Sequence, residues 1–111
     1  MKRISSRRAK ACAITDAVRR RVYTRDEWTC KLEGPSCAHD RMLTPAHVLS
    51  AGKNGLGIEE NLITACIPCH RIFDSGTKKE RKAMNDKAVA YLRSKYPNFD
   101  EIPKVYSKYN F

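Results

Sequence analysis

The sequence predicts a small α+β domain in which helices flank two short strands and cysteine pairs fasten the segments together. At 111 residues the chain has room for one domain with tails, because a second full core would not fit. Segments with helical spacing alternate with two short segments of strand character, and four cysteines form two pairs typical of metal knuckles. We expect a basic flexible tail over residues 1–14, the domain over residues 15–96 and a C-terminal tail over residues 97–111.

The chain is strongly basic, with a net charge of +10 from 22 Lys and Arg against 12 Asp and Glu. This charge favours a polyanionic partner, of which nucleic acid is the commonest. A membrane surface is the weaker alternative, because no predicted helix combines a strongly basic face with a bulky apolar one. No apolar run approaches the roughly 18 residues of a spanning helix, and the N-terminus lacks the apolar core of a signal peptide. We therefore expect a cytoplasmic protein.

The first predicted helix spans residues 16–26, and Thr15 or Asp16 can cap it. Ala17, Val18 and Val22 share its apolar side, whereas three consecutive arginines fan outward. The basic and polar residues before this helix have little to bury. They predict a disordered tail, which can still hold phosphates electrostatically.

Two short strands are predicted on either side of a glycine-rich loop. Residues 42–50 form the first strand, and Pro45 within it indicates an edge strand or an irregular pairing. Residues 50–60 contain three glycines and predict the loop. Residues 62–66 are apolar and partly β-branched, which predicts the second strand.

Two further helices follow the strands. Pro68 suits the first turn of a helix over residues 67–74, which Ser75-Gly76 would end. A longer helix is predicted over residues 79–95, before a proline. The apolar stripe of this helix comprises Met84, Ala88, Val89 and Leu92. The large side chains of the C-terminal tail are expected to pack on the domain or on a partner rather than stack on bases: Phe99, Ile102, Tyr106, Tyr109 and Phe111.

The cysteines predict a structural metal site. An odd number, five, in a reducing compartment argues for metal ligation and against a disulfide framework. Cys30 and Cys37 are followed by the closely spaced Cys66 and Cys69, a four-thiolate set of the kind that binds tetrahedral Zn²⁺. Four thiolates leave no open coordination position, so the expected role is structural. Such a site carries −2, and the working net charge becomes +8 (10 minus 2).

The spacing of the first cysteine pair leaves alternatives open. Its six-residue gap is longer than usual, although Gly34-Pro35 in the turn-rich stretch 31–40 can fold it back. The alternatives are free buried cysteines and a site in which His39 replaces Cys37. Cys12 belongs to no pair and is interpreted as a bystander.

A second set of residues predicts phosphodiester hydrolysis. The reaction needs a base to deprotonate water and a cation to stabilise charge on the phosphate. Histidine is the natural base near neutral pH, and His47 lies in the first predicted strand, before the glycine-rich loop. His70 and Asp74 are four residues apart on one predicted helix, so both side chains can share a divalent ion.

These residues resemble the His-Asn-His (HNH) endonuclease family, whose fold is the ββα-metal fold. The matching text includes Arg21-Val22, Thr24-Arg25-Asp26 and Cys30, then AHVLS, the glycine-rich loop and ENLITACIPCH, and it covers about half of the chain. The likeness is to small phage and prophage nucleases with an Ala-His pair and a CH-x3-D helix. It implies a DNA endonuclease, placed in the host cytoplasm if the chain is phage-encoded, with phage packaging proteins among its partners.

The resemblance also implies residue roles. His47 would be the general base, Asn61 would tie down the loop and orient His47, and His70 and Asp74 would ligate a catalytic Mg²⁺ or Mn²⁺. One departure is Ala46, where many family members carry a metal-binding Asp, Glu or His. An ion held mainly by water and DNA phosphate suits Mg²⁺. A degenerate fold that no longer cuts is the alternative.

Taken singly, each reactive residue has a structural alternative. His47 can be a hydrogen-bonded strand histidine, Asn61 a turn or cap residue, and His70 a spare zinc ligand. Asp74 can be an exposed carboxylate at a helix end, although the helix dipole disfavours an acid there. His39 is interpreted as a surface residue or a neighbour of the zinc.

Basic residues near the reactive set, with a separate arginine block, predict DNA contacts. A solvated face is the alternative for any one of them, but together they predict a salt-sensitive, sequence-independent grip on the backbone. They are Arg19, Arg20, Arg21, Lys53, Arg71, Lys78 and Lys79. The competing class is a non-catalytic, zinc-ribbon-like DNA-binding or phage packaging accessory protein. It would need the cysteines and the basic residues but not His47.

Overall fold

The computed structural model describes residues 6–107, and over that range the chain is an α+β domain, as predicted. Its elements are α1 (Arg7–Cys12), α2 (Asp16–Arg25), β1 (Leu43–His47), β2 (Leu62–Cys66), α3 (Ile67–Ser75) and α4 (Lys78–Lys95). Short 3-10 turns lie at Ala51–Lys53, Glu59–Asn61 and Phe99–Glu101. Among the residues described, no helix is long and apolar enough to cross a membrane.

The two strands form an antiparallel sheet that is buried mainly through β2. Leu43 pairs with Cys66 at one end and His47 pairs with Leu62 at the other. All five side chains of β2 are buried, because α2 and α3 both pack against this strand. In β1 only Ala46 is buried, as expected of an edge strand that contains Pro45.

The helix boundaries follow the capping signals in the sequence. Thr15 caps α2, its hydroxyl accepting from the Val18 N–H at 3.2 Å. Thr77 and Glu80 form a reciprocal capping box at α4, which begins one residue earlier than predicted. The predicted first strand over residues 42–50 is too long: β1 ends at His47, and the backbone after it bonds to a side chain of the loop instead.

The core lies between the sheet, α3, α4 and the turns after α2. Met84, Ala88 and Leu92 of the predicted stripe are buried in it, whereas Val89 is half-buried. On α2 only Val22 is fully buried and Ala17 is exposed, so the predicted apolar side of that helix is narrower than expected. The buried cluster around Cys30, Cys66 and Cys69 also comprises Leu32, Ala38, Ala46, Ile63, Ala65, Phe73, Met84 and Ala88.

The described residues 6–14, for which the sequence predicted a disordered tail, contain the helix α1. Ser6 caps α1 by accepting from the Ala9 N–H at 3.0 Å, and Cys12 is buried. The sequence did not indicate this docking because α1 binds the loop through backbone carbonyls and the Arg8 side chain, neither of which leaves an apolar pattern. The Gly57 N–H, for example, donates to the Ala11 carbonyl at 2.9 Å.

The C-terminal segment also packs on the domain rather than extending from it. Phe99 is buried, as the packing prediction requires, and Ile102 and Tyr106 are half-buried. Val105 forms an antiparallel bridge with Gly55, which ties this segment to the glycine-rich loop. The remaining members of the predicted set, Tyr109 and Phe111, lie outside the described residues.

Candidate functional site

Four cysteines converge at the base of the sheet. The sulfur atoms of Cys30, Cys37, Cys66 and Cys69 all lie within 4.8 Å of one another. A tetrahedron with Zn–S bonds of about 2.3 Å has sulfur atoms roughly 3.8 Å apart, so one ion fits among them. All five cysteines of the chain are free thiols, and Cys12 lies outside the cluster.

Each cysteine is delivered by a different local structure. Cys30 follows α2, where its N–H donates to the His39 carbonyl at 2.8 Å. Cys66 ends β2, and Cys69 lies in the first turn of α3. Cys37 lies at the end of a turn in which its N–H donates to Gly34 at 3.1 Å, so the long first spacing folds back as predicted.

Gly34 allows this turn to approach the cluster closely. A Cβ at this position would lie 2.4 Å from Met84 Cε and 3.5 Å from Cys69 Sγ. Backbone N–H groups also point at three of the sulfurs. Gly34 donates to Cys69 at 3.3 Å, Ala38 to Cys66 at 3.2 Å, and His39 to Cys37 at 3.3 Å. Such donors stabilise thiolates, which are the metal-binding form.

The thiols cannot all ionise without a cation. Burial raises the pKa of the Cys69 thiol, the Gly34 N–H opposes this, and the neighbouring Cys66 and Cys30 sulfurs add to the rise. Burial acts the same way on Cys66, but the Ala38 N–H and bonds from Cys69 and Cys30 outweigh it and bring its pKa to about 7. The four groups therefore form one coupled site that can hold a metal ion, consistent with structural zinc.

The histidine alternatives for this site do not match the geometry. His39 is exposed and belongs to no converging group, so it does not replace Cys37. His70, although adjacent to Cys69 in sequence, also lies outside the cluster. Among residues 6–107, the four cysteines are the group that could hold this metal ion.

His47 lies in a separate open cleft between β1, the loop after it, and the helices α3 and α4. Its Nε2 lies 2.9 Å from the Cys12 carbonyl oxygen, which can only accept a hydrogen bond. Nε2 must therefore carry a proton, and in the neutral ring Nδ1 is the unprotonated nitrogen. Within residues 6–107 no group hydrogen-bonds Nδ1. The cleft is lined by His47, Val48, Leu49, Ser50, Lys53, Phe73, Asp74, Lys78, Arg81, Lys82 and Asn85.

Asn61 is fully buried and ties the glycine-rich loop together. Its Oδ1 accepts from the Leu49 N–H at 2.9 Å, and its Nδ2 donates to the carbonyls of Leu49 at 3.1 Å and Leu56 at 2.9 Å. Its own carbonyl accepts from the Val48 N–H at 2.9 Å, immediately after His47. Asn61 thus fixes the backbone that carries His47 and does not contact the ring through a recorded hydrogen bond.

His70 and Asp74 form the predicted pair on α3. His70 Nε2 lies 3.3 Å from Asp74 Oδ2, with side chains 26% and 61% exposed. Asp74 also lines the cleft of His47, which links the pair to the candidate base. Ala46 is fully buried and offers no donor. Within residues 6–107 no third His, Cys, Asp or Glu joins the pair.

The basic residues predicted to contact DNA are distributed unevenly around this cleft. Lys53 and Lys78 line it, whereas Lys79 lines a separate apolar cleft on the other side of α4. Arg19 and Arg21 are engaged in ion pairs, with Asp16 at 2.9 Å and Glu59 at 2.6 Å. Arg20 and Arg71, from the same predicted set, are exposed and line neither cleft.

The sequence interpretation missed three polar residues of α4 that line the cleft, Arg81, Lys82 and Asn85. With Lys78 they recur at intervals of three and four residues, which puts them on one face of the helix. Applying the same helical spacing to the polar residues of α4 would have found them. Lys82 also pairs with Asp86 at 2.8 Å.

A buried ion pair beneath the sheet was also missed. The Asp26 carboxylate is fully buried and accepts from Arg25 at 2.7 and 2.9 Å, from the Tyr91 hydroxyl at 2.6 Å and from the Thr64 N–H at 2.9 Å. Burial acts to raise the pKa of Asp26, but Arg25 and Tyr91 outweigh it and lower that pKa. Arg25 also donates to the carbonyls of Glu59 and Leu62, both at 2.7 Å.

No protein-family model matches this chain, and no similar protein was found among curated proteins or solved structures. The likeness to His-Asn-His nucleases therefore rests on the motif residues of the chain itself.

Proposed function

We propose that this protein is a metal-dependent endonuclease that hydrolyses phosphodiester bonds of DNA, with His47 as general base. One observation carries the proposal. A histidine with Nε2 tied to a carbonyl lies in an open cleft whose rim also holds an acidic metal-ligand candidate and several cations. This combination supplies a base, a site for a divalent ion and a grip for phosphate in one place.

The hydrogen bond of His47 suits it to act as a base. Because Nε2–H donates to the Cys12 carbonyl, Nδ1 is free to take a proton from water. The resulting hydroxide attacks phosphorus, the bond from phosphorus to the 3′ oxygen breaks, and the departing oxygen takes a proton from solvent. Asn61 holds the backbone after His47 and so keeps the ring in place.

The donors of His70 and Asp74 fit a divalent cation. An imidazole nitrogen and a carboxylate oxygen 3.3 Å apart can share one ion, and Mg²⁺ accepts few protein ligands and keeps several waters. Mn²⁺ accepts the same donors. The ion would stabilise the charge that develops on the phosphate and on the leaving 3′ oxygen. Since Ala46 offers no donor, water and DNA phosphate would complete the coordination of such an ion.

The cations around the cleft support binding of the DNA backbone. Lys53, Lys78 and Arg81 line it without recorded ion-pair partners, and Lys82 shares its charge with Asp86. No element of the described chain presents a recognition helix with base-reading side chains. A sequence-independent, salt-sensitive grip on phosphates is therefore expected.

The cysteine cluster has a supporting role in this proposal. Zn²⁺ is the proposed ion, because four thiolates form a closed tetrahedral site and leave no position for water or substrate. The cluster joins the end of β2 to the start of α3, which carries His70 and Asp74. Zinc would thus fix the helix that holds the catalytic cation without taking part in the chemistry.

Cleavage of supercoiled plasmid tests the proposal. Wild type, His47→Ala and His39→Ala are compared with added Mg²⁺, with added Mn²⁺ and with neither, and zinc content is measured in parallel. We expect metal-dependent nicking or linearisation, a loss of about 10²–10⁴-fold in rate for His47→Ala, and no loss for the exposed His39→Ala. Wild-type rates from His47→Ala would overturn the proposal.

A non-catalytic DNA-binding module is the second candidate, and one observation favours it. Within residues 6–107 the four cysteines are the one group of three or more converging donors, so the described chain offers only two ligands for a catalytic ion. This candidate predicts that wild type binds DNA but cleaves none with either Mg²⁺ or Mn²⁺. It also predicts that wild type and His47→Ala bind DNA with the same affinity. Fluorescence anisotropy with a labelled duplex measures that binding.

A further inference from the structure

The segment before α2 is fastened to the glycine-rich loop at several points. Arg8 Nη2 donates to the Ala51 carbonyl at 2.6 Å, and Arg8 Nε donates to Asn54 Oδ1. The Gly57 N–H donates to the Ala11 carbonyl at 2.9 Å. These contacts join chain segments more than 40 residues apart, so they define how the N-terminal segment sits on the domain.

The same segment ends at the ring of His47. The Cys12 carbonyl lies 2.9 Å from His47 Nε2, and the buried Cys12 side chain anchors the position of that carbonyl. The residues that line the cleft belong to β1, the loop after it, α3 and α4. The acceptor that selects the tautomer of His47 comes from α1, a part of the chain that contributes no other group to the cleft.

We infer that residues 6–13 are a positioning element for His47: docked on the glycine-rich loop, they hold its ring in the Nε2–H tautomer and keep Nδ1 available as a base. The expected effect of this segment on catalysis rests on the proposed function. Its expected effect on the tautomer of His47 does not, and can be measured whether or not the protein cleaves DNA. When the segment is displaced, Nε2 loses its acceptor, and the neutral ring distributes between two tautomers, one of which lacks a free Nδ1.

Gly57→Ala displaces the segment with a single methyl group. Its Cβ would lie 2.1 Å from the Ala13 carbonyl oxygen and 2.9 Å from the Cys12 carbonyl oxygen. Gly57 has no positive φ, so alanine is compatible with the backbone there and the effect comes from contact with residues 12 and 13. Gly52→Ala is the matched control in the same loop, because nothing lies within 4 Å of a Cβ at that position.

Nitrogen-15 NMR of the His47 ring, at a pH where the ring is neutral, gives the first readout. Wild type and Gly52→Ala are expected to show a protonated Nε2 and a bare Nδ1, and Gly57→Ala a mixture of tautomers. In plasmid cleavage, Gly57→Ala is expected to lose about tenfold to a hundredfold in kcat with KM nearly unchanged. That loss is smaller than the 10²–10⁴-fold expected on removing a base.

A second pair of variants tests the docking without touching the loop. Arg8→Ala removes the contacts to Ala51 and Asn54, whereas Arg7→Ala removes the same charge from an exposed neighbour with no recorded partner. We expect the tautomer mixture and the kcat loss with Arg8→Ala and neither with Arg7→Ala. Both variants remain testable if Gly57→Ala fails to fold.

The outcomes separate this inference from the proposed function. A pure Nε2–H tautomer in both Gly57→Ala and Arg8→Ala would overturn the inference while leaving cleavage by wild type intact. Equal kcat losses in Arg7→Ala and Arg8→Ala would also overturn it, since charge rather than docking would then be responsible. If wild type cleaves no DNA but the tautomer shifts as expected, the endonuclease proposal fails and the positioning of His47 stands.

Discussion

The cysteine cluster and the His47 cleft lie on the same small sheet but are built in opposite ways. In the cluster the donors converge within 4.8 Å, three of the four cysteines are buried, and backbone N–H groups already point at three sulfurs. At the cleft the candidate ligands are the pair His70 and Asp74, 26% and 61% exposed, of which only Asp74 lines the cleft.

From this difference we infer that the closed cluster contributes mainly to stability and the open cleft mainly to function. The cluster obtains all its donors, and the Arg25–Asp26 pair all its partners, from the fold, so disrupting either should lower the free energy of unfolding. The cleft leaves positions open that water, a cation and a phosphate can take, so disrupting it should change function and spare the fold. Variants on the two sides should therefore separate loss of stability from loss of activity.

Cys69→Ala should have the largest effect, because it removes one ligand from a closed site. Structural zinc contributes about 10–16 kcal/mol of apparent binding free energy, comparable with the whole stability of a small domain. We expect loss of bound zinc and loss of cooperative unfolding, measured by metal analysis and by thermal melts in circular dichroism.

Cys12→Ala is the matched control for this prediction. It makes the same substitution at a residue that is also buried, 5% exposed against 0% for Cys69, but that lies outside the cluster. We expect one zinc per chain and a cooperative melt. A folded, zinc-free Cys69→Ala protein with the melting temperature of wild type would show that the cluster is not the structural centre of the domain.

The Asp26 ion pair predicts how stability depends on pH. The pKa of Asp26 is lowered in the folded chain, against about 3.9 when unfolded, so its contribution is complete above pH 4 and is lost as pH falls through the folded value. Asp26→Asn leaves Arg25 buried without its counterion. We expect about 3–5 kcal/mol lower unfolding free energy at pH 7 and a shallower decline below pH 4.

Denaturant unfolding of both proteins between pH 7 and pH 3 measures this difference. Acid also releases metal from cysteines, but that effect is common to wild type and Asp26→Asn and cancels in the comparison. Parallel stability curves would mean that Asp26 keeps the same pKa in both states and that the pair contributes no pH dependence.

Local features of the structure could be predicted from the sequence. The cap of α2 and the spacing of His70 and Asp74 depend on residues close together in the chain. The four cysteines join distant segments, but their residue type and their spacing in two pairs mark them in the sequence. Contacts between distant segments that carry no such mark were missed. The partners of Asp26 at Thr64 and Tyr91 lie 38 and 65 residues away, and nothing local marks an Arg-Asp pair at a helix end as buried.

The docking of α1 was missed for a different physical reason. It relies on the carbonyls of Ala11 and Cys12, which are backbone acceptors that any residue offers, and on Arg8, which in the sequence is one of several arginines of a basic segment. A basic, polar segment therefore had the composition of a disordered tail, although in the structure its Cys12 carbonyl lies 2.9 Å from His47 Nε2. That Ala46 offers no metal-binding group before His47, by contrast, was evident from the sequence alone, and the structure adds that Ala46 is buried.

Arg81→Ala should have the smallest effect and should sharpen the location of the DNA grip. Arg81 lines the cleft, whereas Arg20 is exposed on α2 and lines neither cleft, although the sequence predicted Arg20 and not Arg81 as a DNA contact. Both changes remove one charge.

In a His47→Ala background, which prevents cleavage, fluorescence anisotropy across a salt series measures duplex binding. If Arg81 contacts one phosphate, Arg81→Ala lowers the slope of log affinity against log salt by about 0.9, and Arg20→Ala leaves it unchanged. Equal changes in the two variants would mean that general charge, rather than the cleft, holds the DNA. The open cleft would then lack the substrate contact that distinguishes it from the closed metal cluster.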